Sequence, residues 1–119
     1  MVPGGWNIDE CVVLARWLRE QGVDLVVCSS GGSAARARIP ATPGYQVPFA
    51  ARIRREAGIA TGAVGLITEA DHAESILGRG EADLVVMGRE FLRDPYFARR
   101  AAAGLGVAIE APVQYQRGW

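Results

Sequence analysis

The stretch Ile59–Arg89 reads IATGAVGLITEADHAESILGRGEADLVVMGR and contains two apolar runs separated by a more polar segment. The first run is Ile59–Val64 and is followed by a glycine; the second is Asp83–Met87 and is followed by a glycine and an arginine. Short apolar runs bounded by glycines are typical of buried strands, whereas Thr68–Leu77 is predicted to be a helix. The stretch therefore predicts two adjacent parallel strands joined by a helical crossover.

Both predicted strands end in glycine-containing turns, at Gly65 and at the pair Gly88-Arg89. Adjacent parallel strands point the same way, so both turns are predicted at the same edge of the sheet. Glycine lets the backbone come close to a ligand, and turn N–H groups followed by a helix N-terminus attract anions. The planar guanidinium of Arg89 suits a phosphate, so we predict a phosphate site here. The alternative is an ordinary turn with a surface arginine.

The rest of the chain continues the alternation of helices and strands. Asn7 precedes a segment with helical periodicity and has Glu10 three residues further on, which is the pattern of a capping box. Proline at a first helical position and glycine beyond a last one mark further helix ends. The predicted elements are a helix over Asn7–Gln21, a strand over Asp24–Ser29, a helix from Pro48 to Gly58 and a helix from Asp94-Pro95 to about Ala103.

This order of elements predicts an α/β domain with a parallel sheet. A parallel sheet of three strands leaves both edges and one face open, so the chain is predicted to be part of a larger object. A (β/α)8 barrel has about 250 residues and commonly holds a phosphate in the loops after strands 7 and 8. Residues 1–119 are therefore predicted to form one partial barrel domain, with residues 111–119 as an extended C-terminal tail.

The composition excludes several kinds of function. The net charge is zero at pH 7, which favours neither nucleic acid nor an anionic membrane as a partner. All 13 basic residues are arginine, so the chain has no lysine for a Schiff base or a P-loop. One histidine and two cysteines predict neither a metal site nor a disulfide framework. The N-terminus lacks the pattern of an export signal, so a cytoplasmic location with reduced thiols is expected.

Several reactive or charged residues have a structural interpretation. Cys28 ends a predicted strand and is interpreted as a small buried hydrophobe, with a thiol facing a ligand as the alternative. His72 lies between acidic residues in the first turn of a helix and is predicted to be a solvated surface residue. The segment Ser30–Gly44 is predicted to be a long loop, in which Arg36 and Arg38 are solvated charges, with contact to a ligand as the alternative. We therefore predict no catalytic residue in this chain.

Five segments of the chain carry motifs that occur together in a known family. They are Cys28–Gly32, Pro43–Ala50, Thr61–Thr68, Gly88–Pro95 and Pro112–Trp119. In this order they resemble the C-terminal part of the old yellow enzyme family of NADH:flavin oxidoreductases, and the resemblance extends over essentially the whole chain. It is closest to the bacterial, thermophilic-like branch that includes the YqjM-type ene-reductases and the xenobiotic reductases.

The resemblance implies a (β/α)8 barrel with FMN at its C-terminal rim, to which this chain would supply strands 6, 7 and 8. It implies that Val64, Gly65, Gly88 and Arg89 hold the FMN phosphate. The implied activity is oxidoreductase chemistry in which NADPH or NADH reduces FMN, and FMN reduces the activated C=C bond of a small-molecule alkene. Arg117 would match a substrate-site arginine that some members insert into a neighbouring subunit, which implies a homo-oligomer formed through the tail.

The family's groups around the flavin ring and the substrate match no position in this sequence. These groups are a cysteine, a glutamine, a histidine pair, a tyrosine and a flavin-contacting arginine. The isolated chain is therefore expected to be inactive. Two other interpretations remain open: a non-catalytic FMN- or phosphate-binding module that assembles with a separate chain, and a truncated fragment with no function of its own. Another phosphate-binding barrel enzyme is a third.

Overall fold

A computed structural model describes residues 4–31, 39 and 41–118. Within these residues the fold is α/β, with a three-stranded parallel sheet in the order β1-β2-β3. The order of elements agrees with the alternation that the sequence predicts. The helices are α1 (Ile8–Glu20), α2 (Val47–Ala57), α3 (Ala70–Gly78), α4 (Arg89–Arg93) and α5 (Phe97–Gly104), the strands are β1 (Leu25–Cys28), β2 (Ala60–Val64) and β3 (Leu84–Val86), and a 3-10 helix covers Val113–Gly118.

The ends of α1 and α2 are fixed by the residues that the sequence analysis identifies. The Asn7 side chain accepts hydrogen bonds from the backbone N–H groups of Asp9 and Glu10, and the Asn7 N–H donates to the Glu10 carboxylate at 2.9 Å. This reciprocal pair satisfies N–H groups that have no partner within the helix. Gly58 ends α2 in the left-handed conformation, with φ of 65°. Both predicted helix limits are confirmed.

One face of the sheet is covered by helices. Val26, Ala63 and Val85 belong to this covered face, and the buried side chains packed around it come from helices, strands and loops. The members of this core are Val12, Ala15, Cys28, Val47, Ala50, Ile53, Ala57, Ile59, Ala63, Ile67, Ile76 and Ala82. Because successive residues of a strand point to opposite faces of a sheet, the strand residues next to Val26, Ala63 and Val85 must point to the other face.

The opposite face of the sheet is open. A Cβ added at Gly62 would meet side-chain carbons of Val27, Leu84 and Val86, so these residues share one face. Val27 remains 49% exposed and Leu84 remains 38% exposed. The sheet therefore has a covered face and an open face, as the sequence predicts for a three-stranded parallel sheet. Among the described helices, none has the length and apolar character needed to cross a membrane.

The segment after β3 differs from its prediction. The sequence predicts one helix starting at Asp94-Pro95, but the structure has the short helix α4 first, and α5 starts only at Phe97. Asp94 ends α4, and its carboxylate accepts a hydrogen bond from the Tyr96 N–H at 3.1 Å. The side chain that was expected to cap a helix therefore stabilises a turn between two helices instead.

The C-terminal segment also differs from its prediction. The sequence predicts an extended tail over residues 111–119, whereas Val113–Gly118 is a 3-10 helix. The Tyr115 N–H donates to the Pro112 carbonyl at 2.8 Å, which closes a turn. Arg99 of α5 donates to the Gly118 carbonyl at 3.1 Å and so ties the tail to the body of the protein. Trp119 lies outside the described residues.

Candidate functional site

A cleft of about 270 Å³ lies beyond the carboxyl ends of β2 and β3. It brings together Val64, Gly65, Gly88 and Arg89, the four residues that the sequence analysis places at a phosphate site. Val64 ends β2 and Gly65 follows it, whereas Gly88 lies in the turn after β3 and Arg89 is the first residue of α4. The other residues that line the cleft are Tyr45, Gln46, Leu66, Ile67, Thr68, Val86, Met87, Glu90 and Arg93.

The turn after β2 has a backbone that ordinary residues rarely adopt. Gly65 has φ of 123° and the following Leu66 has φ of 51°. A Cβ at Gly65 would lie 3.0 Å from the Gln46 amide nitrogen and 3.0 Å from a Tyr45 ring carbon. Both the conformation and the packing therefore require glycine there. A non-glycine residue with a left-handed backbone costs free energy, and such residues cluster at functional sites. The φ of Leu66 is therefore a second sign that this turn has a function.

Gly88 is a different case. Its φ is −90°, and a Cβ added there would meet no atom within 4 Å. Neither backbone strain nor packing within the described residues requires glycine at this position. The adjacent helix α4 has only five residues, Arg89–Arg93, so its dipole adds little to the attraction of an anion. The attraction must come mainly from the side chain of Arg89 and from turn N–H groups.

Arg89 is exposed and makes no hydrogen bond or ion pair within the described residues. The same is true of Arg117, the other arginine that the sequence analysis assigns to a ligand. Every other arginine that the structure describes has a carboxylate or carbonyl partner. These paired arginines are Arg16, Arg19, Arg52, Arg54, Arg55, Arg79, Arg93, Arg99 and Arg100. Arg89 is thus a positive charge in the cleft whose hydrogen-bonding capacity is unused.

An ion pair lies beside Arg89 in the cleft. Glu90 accepts a hydrogen bond from Arg93 at 2.5 Å, and both residues line the cleft. A carboxylate close to an anion would oppose its binding, but Arg93 offsets the Glu90 charge. The local net charge therefore remains positive because of Arg89. The sequence analysis does not single out Glu90 or Arg93, although their three-residue spacing on α4 is the available signal.

Gln46, one of the residues that line the cleft, connects the ends of β1 and β2 through its side chain. Its side-chain oxygen accepts hydrogen bonds from the backbone N–H and the hydroxyl of Ser30, the latter at 3.1 Å. Its side-chain nitrogen donates to the Val64 carbonyl at 3.3 Å. Gln46 is only 4% exposed, although it is polar. The sequence analysis assigns it no role, because its partners Ser30 and Val64 lie 16 and 18 residues away in the sequence.

Sequence comparison identifies the family of this chain. The sequence model of the NADH:flavin oxidoreductase / NADH oxidase family matches residues 3–107. The chain belongs to this family. Among relatives named NADPH dehydrogenase, the chain is 59% identical over 117 residues to that of Geobacillus thermodenitrificans, with 98% of this chain and 34% of the relative covered. The relative from Bacillus subtilis is 56% identical over 115 residues, with 97% of this chain and 34% of the relative covered. The relative from Listeria innocua is 53% identical over 116 residues, with 98% of this chain and 34% of the relative covered.

The chain thus spans about a third of the length of these members of the NADH:flavin oxidoreductase family. The family assignment agrees with the resemblance found in the sequence. The described residues contain no cluster of three or more histidine, cysteine, aspartate or glutamate residues that could hold a metal ion. Because the family uses a flavin, the four cleft residues are a candidate site for this cofactor.

Arg117 is not part of this cleft. It lies in the exposed 3-10 helix of the tail, and it is not among the residues that line the cleft. A separate cavity of about 570 Å³ is lined by Tyr96, Arg99, Gln114, Tyr115 and Gly118. Arg117 is therefore separate from the predicted phosphate ligands within this chain, and its substrate role stays a prediction.

The two reactive side chains considered in the sequence analysis have structural explanations. Cys28 is buried, and burial together with the nearby Cys11 raises the pKa of its thiol to about 11. The thiol stays protonated at neutral pH and is a poor nucleophile, which favours its interpretation as a core residue. His72 is half-buried, and a Cβ at Gly44 would lie 3.0 Å from its ring. The prediction that His72 is a solvated surface residue is therefore only partly right, because one side of its ring lies against the Gly44 turn.

Proposed function

We propose that this chain anchors the phosphate end of FMN in a (β/α)8-barrel oxidoreductase that uses NADPH or NADH. The observation that carries the proposal is the combination of Arg89, an arginine with no partner among the described residues, and a turn at Gly65–Leu66 whose backbone favours glycine. A phosphate dianion needs both charge and several hydrogen-bond donors. Arg89 supplies the charge, and the turns at Gly65 and Gly88 supply backbone N–H groups.

The size of the cleft supports binding of one end of the cofactor. Sites that enclose a whole drug-sized ligand have volumes of about 300–1,000 Å³. The cleft of about 270 Å³ lies near the lower limit of this range, which fits a site for the phosphate and the adjacent chain of the cofactor. The flavin ring would then extend beyond the residues of this chain. When bound, FMN supplies hydride transfer, and this chain's residues hold its phosphate and neutralise its charge.

The barrel is part of the proposal and rests on two observations. The open face of the sheet leaves Val27 and Leu84 partly exposed, and apolar strands of parallel sheets are normally covered on both faces. The chain also spans about a third of the length of its relatives. Further strands would cover the open face in a closed barrel and would bring the substrate groups. We infer that reduction of an activated C=C bond needs those groups and that the isolated chain has no such activity.

We further propose that the tail forms a contact between subunits. Val113 is 77% exposed and Tyr115 is 67% exposed, so the 3-10 helix presents apolar area to its surroundings. Arg117 in the same helix makes no hydrogen bond or ion pair within the described residues. Aromatic residues and arginine dominate the energetics of interfaces, and Arg117 would raise the positive potential at a neighbouring substrate site. Sedimentation of the complete enzyme with and without residues 113–119 tests this, and an unchanged oligomeric state would contradict it.

The test of the phosphate role compares FMN with riboflavin, which has the same ring but no phosphate. A hybrid enzyme, in which this chain replaces the matching third of the Bacillus subtilis relative, supplies the remaining strands. Arg89→Ala should raise the Kd of FMN roughly 10- to 100-fold, because charge-assisted hydrogen bonds contribute about 1.5–3 kcal/mol each. The Kd of riboflavin should change little. Flavin fluorescence titration measures both constants.

Arg55→Ala is the matched control, because Arg55 is an exposed arginine of α2 that lies outside the cleft. It should leave the affinities for FMN and riboflavin unchanged. Equal affinities of the unmodified hybrid for the two flavins would contradict the proposed phosphate site. An Arg89→Ala variant that keeps the preference for FMN would exclude Arg89 as a phosphate ligand.

A further inference from the structure

Gln46 lies where the hydrogen-bonded ladder between β1 and β2 stops. The last paired residues of these strands are Cys28 and Ala63. One residue further along β2, the Val64 carbonyl accepts its hydrogen bond from the Gln46 side chain. On the other side, the Ser30 N–H beyond β1 donates to the same side chain. The amide of Gln46 therefore continues the connection between the two strands past the end of the sheet.

Few side chains can make this connection. Ser30 offers a backbone N–H, which can only donate, and Val64 offers a carbonyl, which can only accept. The bridging group must therefore accept on one side and donate on the other, as a neutral carboxamide does. A glutamate carboxylate accepts on both sides and cannot donate to Val64. Gln46 is 4% exposed, so water has little access to replace a lost hydrogen bond.

The segment that contains Gln46 makes a second contact with the turn after β2. The Gly44 N–H donates to the Gly65 carbonyl at 2.8 Å. The side chains of Tyr45 and Gln46 occupy the space next to the Gly65 Cα, where a Cβ would have 3.0 Å contacts. The carbonyls of Val64 and Gly65, two consecutive residues, are thus fixed by one short segment. This fixes the orientation of the peptide groups in the turn at Gly65.

We propose that Gln46 is a positioning residue of the phosphate site, which it serves by holding the Val64 carbonyl and thereby aiming the N–H groups of the Gly65–Leu66 turn into the cleft. The proposal rests on the proposed phosphate-binding function. Gln46 itself uses its carboxamide on Ser30 and Val64, so it acts on the ligand through the turn. Its effect should therefore depend on whether the ligand has a phosphate.

The experiment measures the ratio of the riboflavin Kd to the FMN Kd in the hybrid enzyme. Gln46→Met keeps the length of the side chain but removes both the acceptor and the donor. We expect the ratio to fall about tenfold, because FMN binding weakens while riboflavin binding is nearly unchanged. Gln21→Met is the matched control, since Gln21 is an exposed glutamine at the end of α1, and it should leave the ratio unchanged.

A purely structural role of Gln46 would give a different result. The variant would then melt at a lower temperature, and the affinities for both flavins would fall by the same factor or not at all. An unchanged ratio with a lowered melting temperature would overturn the positioning role. The proposed phosphate site itself is tested separately by Arg89→Ala: if that variant loses the preference for FMN while Gln46→Met keeps it, only the positioning role fails.

A second variant keeps the test decisive if Gln46→Met does not fold. Gln46→Glu has nearly the same size, but its carboxylate cannot donate to Val64 and adds a negative charge beside the cleft. We expect the ratio to be low at pH 8 and to recover towards that of the unmodified protein as the pH is lowered. The recovery follows because a protonated carboxyl group can both accept and donate. A ratio equal to that of the unmodified protein at pH 8 would overturn the proposal.

Discussion

The two ends of the sheet are built in opposite ways. At the amino end, both carboxylate oxygens of Asp83 share the Arg54 Nε–H at 3.0 Å, and one of them also accepts a hydrogen bond from the Thr61 N–H at 2.9 Å. The Asp83 N–H donates in turn to the Thr61 carbonyl at 2.8 Å. Arg19 donates to the Ala57 carbonyl at the end of α2 at 2.9 Å. The charges named here all have partners, and they join α1, α2, β2 and β3.

At the carboxyl end, Arg89 is exposed and has no partner among the described residues, and Leu66 adopts φ of 51°. Backbone strain of this kind costs stability and is concentrated at functional sites, and an exposed guanidinium without a protein partner is available to bind an anion. The difference indicates that the amino end stabilises the fold and that the carboxyl end is arranged for a ligand. This division is general in barrels of alternating strands and helices.

Among the substitutions that test this difference between the two ends, Gly65→Ala is expected to have the largest effect on stability and FMN binding. Alanine at φ of 123° is strained, and its Cβ would press on Tyr45 and Gln46 at 3.0 Å. We expect the free energy of unfolding to fall by roughly 1–3 kcal/mol and FMN affinity to fall as well. Thermal melting and flavin titration of the hybrid enzyme measure the two effects. A variant with unchanged stability and unchanged FMN affinity would contradict the role given to this turn.

An intermediate effect, on stability alone, is expected from Asp83→Asn at the amino end. The Arg54 guanidinium and the Thr61 N–H hold the pKa of Asp83 below its ordinary value. The stabilisation is therefore fully present above the unfolded pKa of about 3.9 and is lost as the pH falls through the folded pKa. The variant should melt a few degrees lower than the unmodified protein at pH 7, and the gap should narrow below about pH 4. The Asp83 side chain is partly solvent-accessible, which keeps the effect small.

The ratio of the riboflavin Kd to the FMN Kd distinguishes substitutions at the two ends of the sheet. Asp83→Asn should leave the ratio unchanged, because Asp83 lies at the opposite end of the strands from the cleft. Thermal melting at several pH values and flavin titration at pH 7 provide the data. A gap in melting temperature that does not depend on pH would mean that the ionised form of Asp83 is not what stabilises the fold.

The smallest effect is expected from Gly88→Ala, and it should appear in binding alone. The negative φ and the open space around Gly88 allow a methyl group without strain. Stability should therefore stay within about 0.5 kcal/mol of the unmodified protein, as for most surface substitutions. FMN affinity should fall a few-fold if the phosphate approaches the backbone at this residue. Unchanged FMN affinity would remove Gly88 from the site while leaving Gly65 and Arg89 in place.

The sequence predicts those parts of the fold and site that depend on strand ends. Gly65 and Arg89 were identified because parallel strands end at one edge, and glycine after an apolar run marks that edge. Gln46 was missed because its role depends on hydrogen bonds to Ser30 and Val64, which are distant in the sequence and form no periodic pattern with it. Leu66 was missed because leucine carries no signal for a left-handed backbone. The 3-10 helix of the tail was missed because it involves a long-range hydrogen bond from Arg99.

The pairing of the arginines also governs their chemical reactivity. Dicarbonyl reagents attack a guanidine that has lost its proton, so a raised pKa slows the reaction. Hydrogen bonds to carboxylates raise the pKa of Arg52 and of Arg54, whereas Arg89 and Arg117 are exposed and have no partner among the described residues. With no lysine to compete, such a reagent should modify these two first among the described arginines. Protection of Arg89 by FMN, followed by mass spectrometry, would then report cofactor binding without any substitution.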